Sequence, residues 1–234
     1  RRTLKEIFTV NQYLVVADDA REDLRQIYLA SWTRLETCPV EEVLREHHRA
    51  LAAWLDVLYP PAFRRALAVA PRIGRVANEE YSADFQLRVF GIRPVDLQGC
   101  VLDIGCGASA GLVRYLREQG VVASGIDRIV DWSSPYACEC DWFAYPFLPE
   151  TWRTIISNMA FSNHAVCALA ADAGLAVRYR QLYRTILDAL EPGGAFYYAP
   201  AVPVFENDLP RADFEISVQP AGAGIYATCI RRRQ

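Results

Sequence analysis

Two acidic side chains and a pair of glycines have the types and spacing that a nucleoside-binding site needs. Asp103 ends an apolar run and is followed closely by Gly105 and Gly107. Glycine permits a tight turn and lets the backbone approach a ligand, because it carries no Cβ. Asp127 lies 24 residues after Asp103, close to the ~20-residue spacing of the acid that binds ribose in dinucleotide sites. The sequence therefore predicts a nucleoside site around this turn.

The surroundings of the turn indicate the charge of the ligand. Ala110 stands at the third glycine position of the dinucleotide pattern, which tolerates it, and no Walker lysine follows. Asp103 beside the turn would repel a pyrophosphate. An acid at this place suits a ligand with cationic groups, which favours S-adenosyl-L-methionine (SAM), with its ammonium and sulfonium charges, over NAD.

The run 101–109, with the sequence VLDIGCGAS, resembles the first motif of class I SAM-dependent methyltransferases, and 125–127 (GID) resembles the second. The resemblance implies that Asp127 binds both ribose hydroxyls. Asp141 and Trp142 resemble the third motif. In that motif an acid accepts a hydrogen bond from the adenine amino group, and its neighbour packs on the adenine ring. The alternative for Asp141 is that it only caps its own loop. Asp103 also belongs to the expected cofactor site. The site is completed by residues that follow predicted strands, namely Gly105, Cys106, Gly107 and Arg128.

Three residues are candidates for catalysis. Asn158, at the tip of a predicted strand, could offer a carbonyl or an amide to SAM or to the acceptor, although Arg153 and Thr154 stand where the fourth motif usually has an acid. His164 would be a general base, with an ordinary pKa near ~6.5, or would pack in its loop. Tyr81 would fold over the methionine end of SAM, or belong to the core.

These residues require an α/β fold to position them. From Cys100 onward strands and helices alternate, which is typical of a doubly wound, mostly parallel sheet. The last two strands flank the glycine-rich segment 220–224 and are expected to form an antiparallel hairpin. A seven-stranded, class I methyltransferase-like sheet follows, with predicted strands at 100–104, 121–126, 136–140, 153–158, 195–199, 213–219 and 224–231.

Residues 1–95 are predicted to form an all-helical cap, and residues 96–234 a SAM-binding Rossmann-like domain. Apolar side chains at helical spacing predict one helix that begins at Asp18 or Asp19 and another over 40–58. Two shorter helical segments are expected at 62–70 and 74–90. These helices cannot bury their apolar faces alone, so we expect them to pack on the later domain.

Composition excludes several classes of partner. The chain has 234 residues and a formal net charge of −3, which argues against a dedicated nucleic-acid binder. It contains no apolar run of the ~18 to 20 residues that a membrane span needs, so a cytoplasmic location is expected. Its seven cysteines are scattered and odd in number, as expected of reduced thiols. Cys138 and Cys140 form only half a zinc site, so no metal is predicted, and the oligomeric state is left open.

Together these features predict a SAM-dependent transferase. The main hypothesis is methyl transfer to an oxygen or nitrogen of a small-molecule acceptor, in small-molecule biosynthesis of the secondary-metabolism type. An alternative uses SAM for its aminocarboxypropyl group, with methylthioadenosine released. The nucleophile would then be SAM's own amine, which gives azetidine-2-carboxylate, or a second amine, as in nicotianamine-type synthases. A second alternative is a protein that binds SAM without catalysis.

Overall fold

The structure is a computed structural model that describes residues 2–10, 14–58, 81–131, 134–222 and 224–234. It divides into two units, Arg1–Lys5 with Asn78–Gln234, and Glu6–Ala77. The predicted division lies after residue 95. A helix at Ala83–Phe90, within the predicted cap, buries its apolar side chains together with those of the later part of the chain. Lys5 belongs with the same unit, since its ammonium pairs with the Glu139 carboxylate at 2.9 Å.

The unit Glu6–Ala77 is helical in its described part. Helix α1 (Arg2–Val10) leads into it, and α2 (Asp18–Arg34) and α3 (Val40–Leu58) follow. The indole Nε1 of Trp54, in α3, donates to the Ala20 carbonyl of α2 at 2.8 Å. The two long helices predicted here are confirmed. The predicted segment 62–70 and the beginning of 74–90 lie outside the described residues.

The larger unit is built on a seven-stranded sheet. Its elements in chain order are α4 (Ala83–Phe90), a 3-10 turn (Pro94–Asp96), β1 (Cys100–Ile104), α5 (Gly111–Glu118), β2 (Val122–Asp127), β3 (Ala137–Glu139), β4 (Trp152–Asn158), α6 (Phe161–Ala171), α7 (Ala173–Asp188), β5 (Leu190–Ala199), α8 (Pro203–Glu206), β6 (Phe214–Gly222) and β7 (Ile225–Arg232).

The strand order is β3-β2-β1-β4-β5-β7-β6. Strands β1 to β5 are mutually parallel, and β7 runs antiparallel between β5 and β6. The predicted seven-stranded, doubly wound, mostly parallel sheet is therefore confirmed, including its terminal hairpin. Helix α6 was not predicted. The predicted β5 begins at residue 195, five residues after the observed beginning of the strand at Leu190.

Apolar side chains cover both faces of the sheet, as expected for a parallel sheet with helices on each side. In β1, Leu102 and Ile104 belong to one buried cluster and Val101 belongs to the other. Helix α5 and the glycine turn pack very closely on β2. A Cβ added to Gly125 would lie 2.9 Å from Cγ2 of Val113 in α5 and 2.8 Å from the Cys106 Sγ, so only glycine fits at this place. None of the described helices is long and apolar enough to cross a membrane.

Candidate functional site

The glycine turn after β1 is held in place by its own backbone amides. The Gly105 N–H donates to the Ile126 carbonyl at 2.8 Å, and the Gly107 N–H donates to Oδ2 of Asp127 at 3.0 Å. Gly105 has a φ of +81°, and a Cβ there would lie 2.3 Å from the Ala160 Cβ. Left-handed backbone and lack of space thus both require glycine. The turn and the acid at the end of β2 form one connected unit.

The Asp127 carboxylate uses both of its oxygens in backbone hydrogen bonds. Oδ2 accepts from Gly107, and Oδ1 accepts from the Ile129 N–H at 3.1 Å. Burial raises the pKa of this carboxyl, while the amide hydrogen bonds act in the opposite direction. A carboxylate oxygen has two lone pairs. Each oxygen of Asp127 therefore keeps the capacity to accept from a ligand hydroxyl.

Asp103 is the second buried acid beside the turn, with 2% of its surface exposed. Burial raises its pKa from 3.8 to about 7, and the neighbouring charge of Asp127 contributes in the same direction. Two carboxyl groups close together in a buried place resist full ionisation. A cation bound against Asp103 would relieve this and favour its ionised form.

Asp141 and Trp142 follow β3 at the same edge of the sheet. Oδ1 of Asp141 accepts from the Phe143 N–H at 3.0 Å, so this acid does cap its loop. The Trp142 ring is buried, and the guanidinium carbon of Arg128 lies 5.9 Å from its centroid. The structure thus brings Arg128, Trp142 and Asp141 together beside Asp127.

His164 lies on α6, not in a loop, and is 5% exposed. Its ring meets Trp142 edge-on, with centroids 4.7 Å apart. Burial, helped by the charge of Arg128, holds the pKa of this imidazole well below its usual range. The ring is therefore uncharged at neutral pH and supports Trp142. Tyr81 precedes α4, is partly exposed and stacks on Phe85 at 5.2 Å; its catalytic role stays a prediction.

Asn158 ends β4, the strand next to the glycine turn. Its side chain is 7% exposed, and neither Oδ1 nor Nδ2 has a hydrogen-bond partner in the described part of the chain. Buried polar atoms without partners are rare in native proteins. The Ser162 hydroxyl, four residues later, is also buried without a hydrogen-bond partner in the described part of the chain. Ser162 was not a candidate from the sequence, because α6 was not predicted.

The buried carboxylate of Glu206, at the same edge of the sheet, was also not predicted from the sequence. Oε1 of Glu206, in α8, accepts from the Tyr198 hydroxyl, the Val202 N–H and the Thr228 hydroxyl, each at 2.8 Å. Tyr183 extends this network, with its hydroxyl 3.1 Å from that of Tyr198. The only sequence signal was an acid in an otherwise apolar stretch. The network fixes the segment that follows β5.

The order of these groups along the sheet edge is the deciding observation. Asp141 follows β3, Asp127 ends β2, the glycine turn follows β1 and Asn158 ends β4, in a sheet whose strand order is β3-β2-β1-β4-β5-β7-β6. This is the class I methyltransferase fold. Ligands of open parallel sheets lie at the carboxyl ends of the strands, so all of these residues line the place where such a fold binds its ligand.

No model of a known protein family matches this chain, and no curated protein matches it. Among solved structures, it is similar to the Burkholderia thailandensis 1,6-didemethyltoxoflavin N1-methyltransferase, solved with 1,6-didemethyltoxoflavin and S-adenosylhomocysteine. The identity is 15% over 75% of this chain and 89% of that chain, with a TM-score of 0.48.

It is also similar to the N-methyltransferase NodS of Bradyrhizobium japonicum, at 14% identity over 65% of this chain and 94% of that chain, with a TM-score of 0.44. A third similar structure is the T. thermophilus 16S rRNA methyltransferase RsmC, in complex with AdoMet and guanosine. Its identity is 13%, with 64% of this chain and 38% of that chain covered and a TM-score of 0.43. Likenesses of this size do not identify a reaction.

Proposed function

We propose that this protein is a SAM-dependent methyltransferase that acts on an oxygen or nitrogen of a small molecule. The hydrogen bond from Gly107 to Asp127 is the observation that carries this proposal. It joins a turn with glycine at positions 105 and 107 to an acid that can still accept hydrogen bonds, which is the pairing that a nucleoside ribose requires. We further propose that the protein is cytoplasmic and takes part in small-molecule biosynthesis.

The residues along the edge fit the parts of SAM in order. Neighbouring strands are ~4.8 Å apart, so the edge from β3 to β4 spans about 14 Å. Asp141 and Trp142 would hold the adenine, and Asp127 the ribose hydroxyls. The glycine turn, with Cys106, would lie along the methionine part, whose ammonium group finds its counter-charge in Asp103. Arg128 would lie at the adenine end of the site, because its guanidinium carbon is 5.9 Å from the centroid of the Trp142 ring.

When bound, SAM supplies a methyl group on a positively charged sulfur. The acceptor atom would bond to this methyl carbon as the methyl–sulfur bond broke, and the electron pair would leave on the sulfur of S-adenosylhomocysteine. The chain's task is to align the two reactants and to exclude water. Asn158 stands at the strand end next to the glycine turn, where the acceptor would enter. If the acceptor must release a proton, the uncharged imidazole of His164 is the candidate base.

The binding experiment is calorimetric titration of S-adenosylhomocysteine into the wild-type protein and two variants. Asp127→Asn removes the carboxylate of the proposed ribose site, and we expect at least tenfold weaker binding, since hydrogen bonds to charged groups contribute about 1.5–3 kcal/mol. Asp131→Asn is the matched control, because Asp131 is an exposed acid four residues further along the chain, and it should bind like wild type. Equal affinities of all three proteins would contradict the proposed ribose site.

The reaction experiment is mass spectrometry of the nucleoside product after incubation with SAM and candidate acceptors. Methyl transfer releases S-adenosylhomocysteine. Methylthioadenosine as the product would instead establish aminocarboxypropyl chemistry. Tight binding without either product, across a broad panel of acceptors, would favour a SAM-binding protein without catalysis.

A further inference from the structure

The end of β4 contains more unused hydrogen-bonding capacity than any other stretch of the described chain. Both polar atoms of the Asn158 side chain and the hydroxyl of Ser162 are buried and have no hydrogen-bond partner among the residues that the structure describes. A buried donor or acceptor without a partner destabilises a protein by about 1–3 kcal/mol. Three such atoms within five residues mark a place where a bound molecule would provide the missing hydrogen bonds.

The neighbouring polar side chains already have hydrogen-bond partners, unlike those of Asn158 and Ser162. The Ser157 hydroxyl donates to the Ile104 carbonyl at 2.8 Å and accepts from the Phe161 N–H at 3.0 Å. Nδ2 of Asn163 donates to the Met159 carbonyl at 2.8 Å. Asn158 and Ser162 are therefore not part of the local backbone network that shapes this junction.

Asn158 lies on the acceptor side of the proposed cofactor. The Met159 N–H donates to the Ala199 carbonyl at 2.8 Å, which ties the residue after Asn158 to the end of β5. On the other side, the Ala160 Cβ occupies the space that a side chain at position 105 would need. Asn158 thus lies between the glycine turn and β5, away from Asp127 on β2. The ammonium group of SAM is better matched by the carboxyl of Asp103 than by a neutral amide.

The chemistry of Asn158 restricts what can bind there. A primary amide presents a carbonyl acceptor and an N–H donor side by side in one plane. Ser162 adds a hydroxyl, and none of these groups carries a charge. Asn158 and Ser162 themselves would give an ionised acceptor group no counter-charge for the hydration that it loses. The best complement is a neutral group with an adjacent donor and acceptor.

We propose that Asn158 is a specificity-determining residue that binds an acceptor through a neutral lactam or amide edge, as found in oxidised nitrogen heterocycles. This inference rests on the proposed function, since it names the substrate class of the same site. The two parallel hydrogen bonds from Asn158 orient the ring.

The test measures the binding of four small probes by saturation-transfer NMR, with and without saturating S-adenosylhomocysteine. They are 2-pyridone, which has the lactam edge, N-methyl-2-pyridone, which lacks its donor, benzoate and 2-aminopyridine. We expect wild-type protein to bind 2-pyridone at least tenfold more tightly than the other three. The variant Asn158→Ala should lose this preference and keep its affinity for S-adenosylhomocysteine within about twofold.

Two further variants make the result independent of folding defects. Asn158→Asp replaces the donor by a second acceptor, so its preference should move from 2-pyridone to 2-aminopyridine, whose protonated form offers two donors. Asn163→Ala is the control, because that amide is already used within α6, and it should retain the wild-type preference.

The outcomes separate the two proposals. Failure of wild type to bind S-adenosylhomocysteine contradicts the proposed function, whatever the probes do. Normal binding of that nucleoside without a preference for 2-pyridone overturns the lactam proposal alone. Tenfold weaker binding of S-adenosylhomocysteine to a folded Asn158→Ala variant would also overturn it, because Asn158 would then contact the cofactor.

Discussion

Replacing Asp103 by asparagine should change how the stability of this protein depends on pH. Burial raises the pKa of Asp103 from 3.8 to about 7 in the folded protein. The folded state therefore holds this proton up to about pH 7, whereas the unfolded chain releases it near the ordinary value. Where the folded state binds more protons, the free energy of unfolding decreases as the pH rises. The Asp103→Asn variant has no such proton.

The magnitude follows from the two pKa values. A shift of about 3 units corresponds to about 4 kcal/mol between the extremes of pH. Between about pH 5.5 and about pH 8 the linkage integral gives about 2 kcal/mol. Over this interval, wild type should lose about 2 kcal/mol more unfolding free energy than Asp103→Asn. Any effect of the buried amide itself on stability is the same at both pH values and cancels in the comparison.

The assay is urea denaturation of both proteins at the two pH values, with Asp131→Asn as a control that should follow wild type. Parallel pH dependence of wild type and Asp103→Asn would refute the reasoning, because it would show that Asp103 ionises in the folded protein near its ordinary pKa. A steeper loss in the variant would reverse the sign of the proposed linkage.

Three further outcomes are expected. Gly105→Ala should abolish measurable binding of S-adenosylhomocysteine, since its Cβ would lie 2.3 Å from that of Ala160; a calorimetric titration that matched wild type would contradict this. His164→Ala should weaken the same binding by about two- to tenfold, because the edge-on contact with Trp142 contributes about 0.5–1.5 kcal/mol; unchanged affinity would contradict a supporting role for this ring, and an altered pH profile of the reaction would identify it as the base. Glu206→Ala should lower the free energy of unfolding by about 3 kcal/mol or more, as three donors lose their acceptor, whereas Glu206→Gln keeps an amide oxygen and should lose less in the same urea denaturation.

The sheet and its glycine turn could be predicted because their signals are local. Apolar runs ending in turn residues locate β1, β2 and β4, and the spacing from Asp103 to Asp127 follows from one strand–helix–strand unit. Helix α6 was missed, although Phe161 and Ala165 lie four residues apart on its buried side. Its alanines and polar residues give a weak helical pattern, and the helix begins within a stretch that was assigned to a motif.

The remaining features of the site depend on contacts between distant residues. Glu206 accepts from Thr228, which lies 22 residues away in the chain, so its role is set by β7 and not by its neighbours. The low pKa of the His164 imidazole results from burial beside Arg128, and a sequence gives no measure of burial for a single histidine. Asn158 was a candidate from its position at a strand tip, but its lack of partners is visible only in three dimensions.

The position of β7 between β5 and β6 has a consequence for the folding of the protein. Because β7 is the last strand in the chain and lies inside the sheet, the outer edge of β5 has no partner until β7 is inserted. An open strand edge can pair with another chain. A folding intermediate that lacks β7 therefore exposes the edge of β5 to association with a second copy, and refolding at higher protein concentration should lower the yield of folded protein.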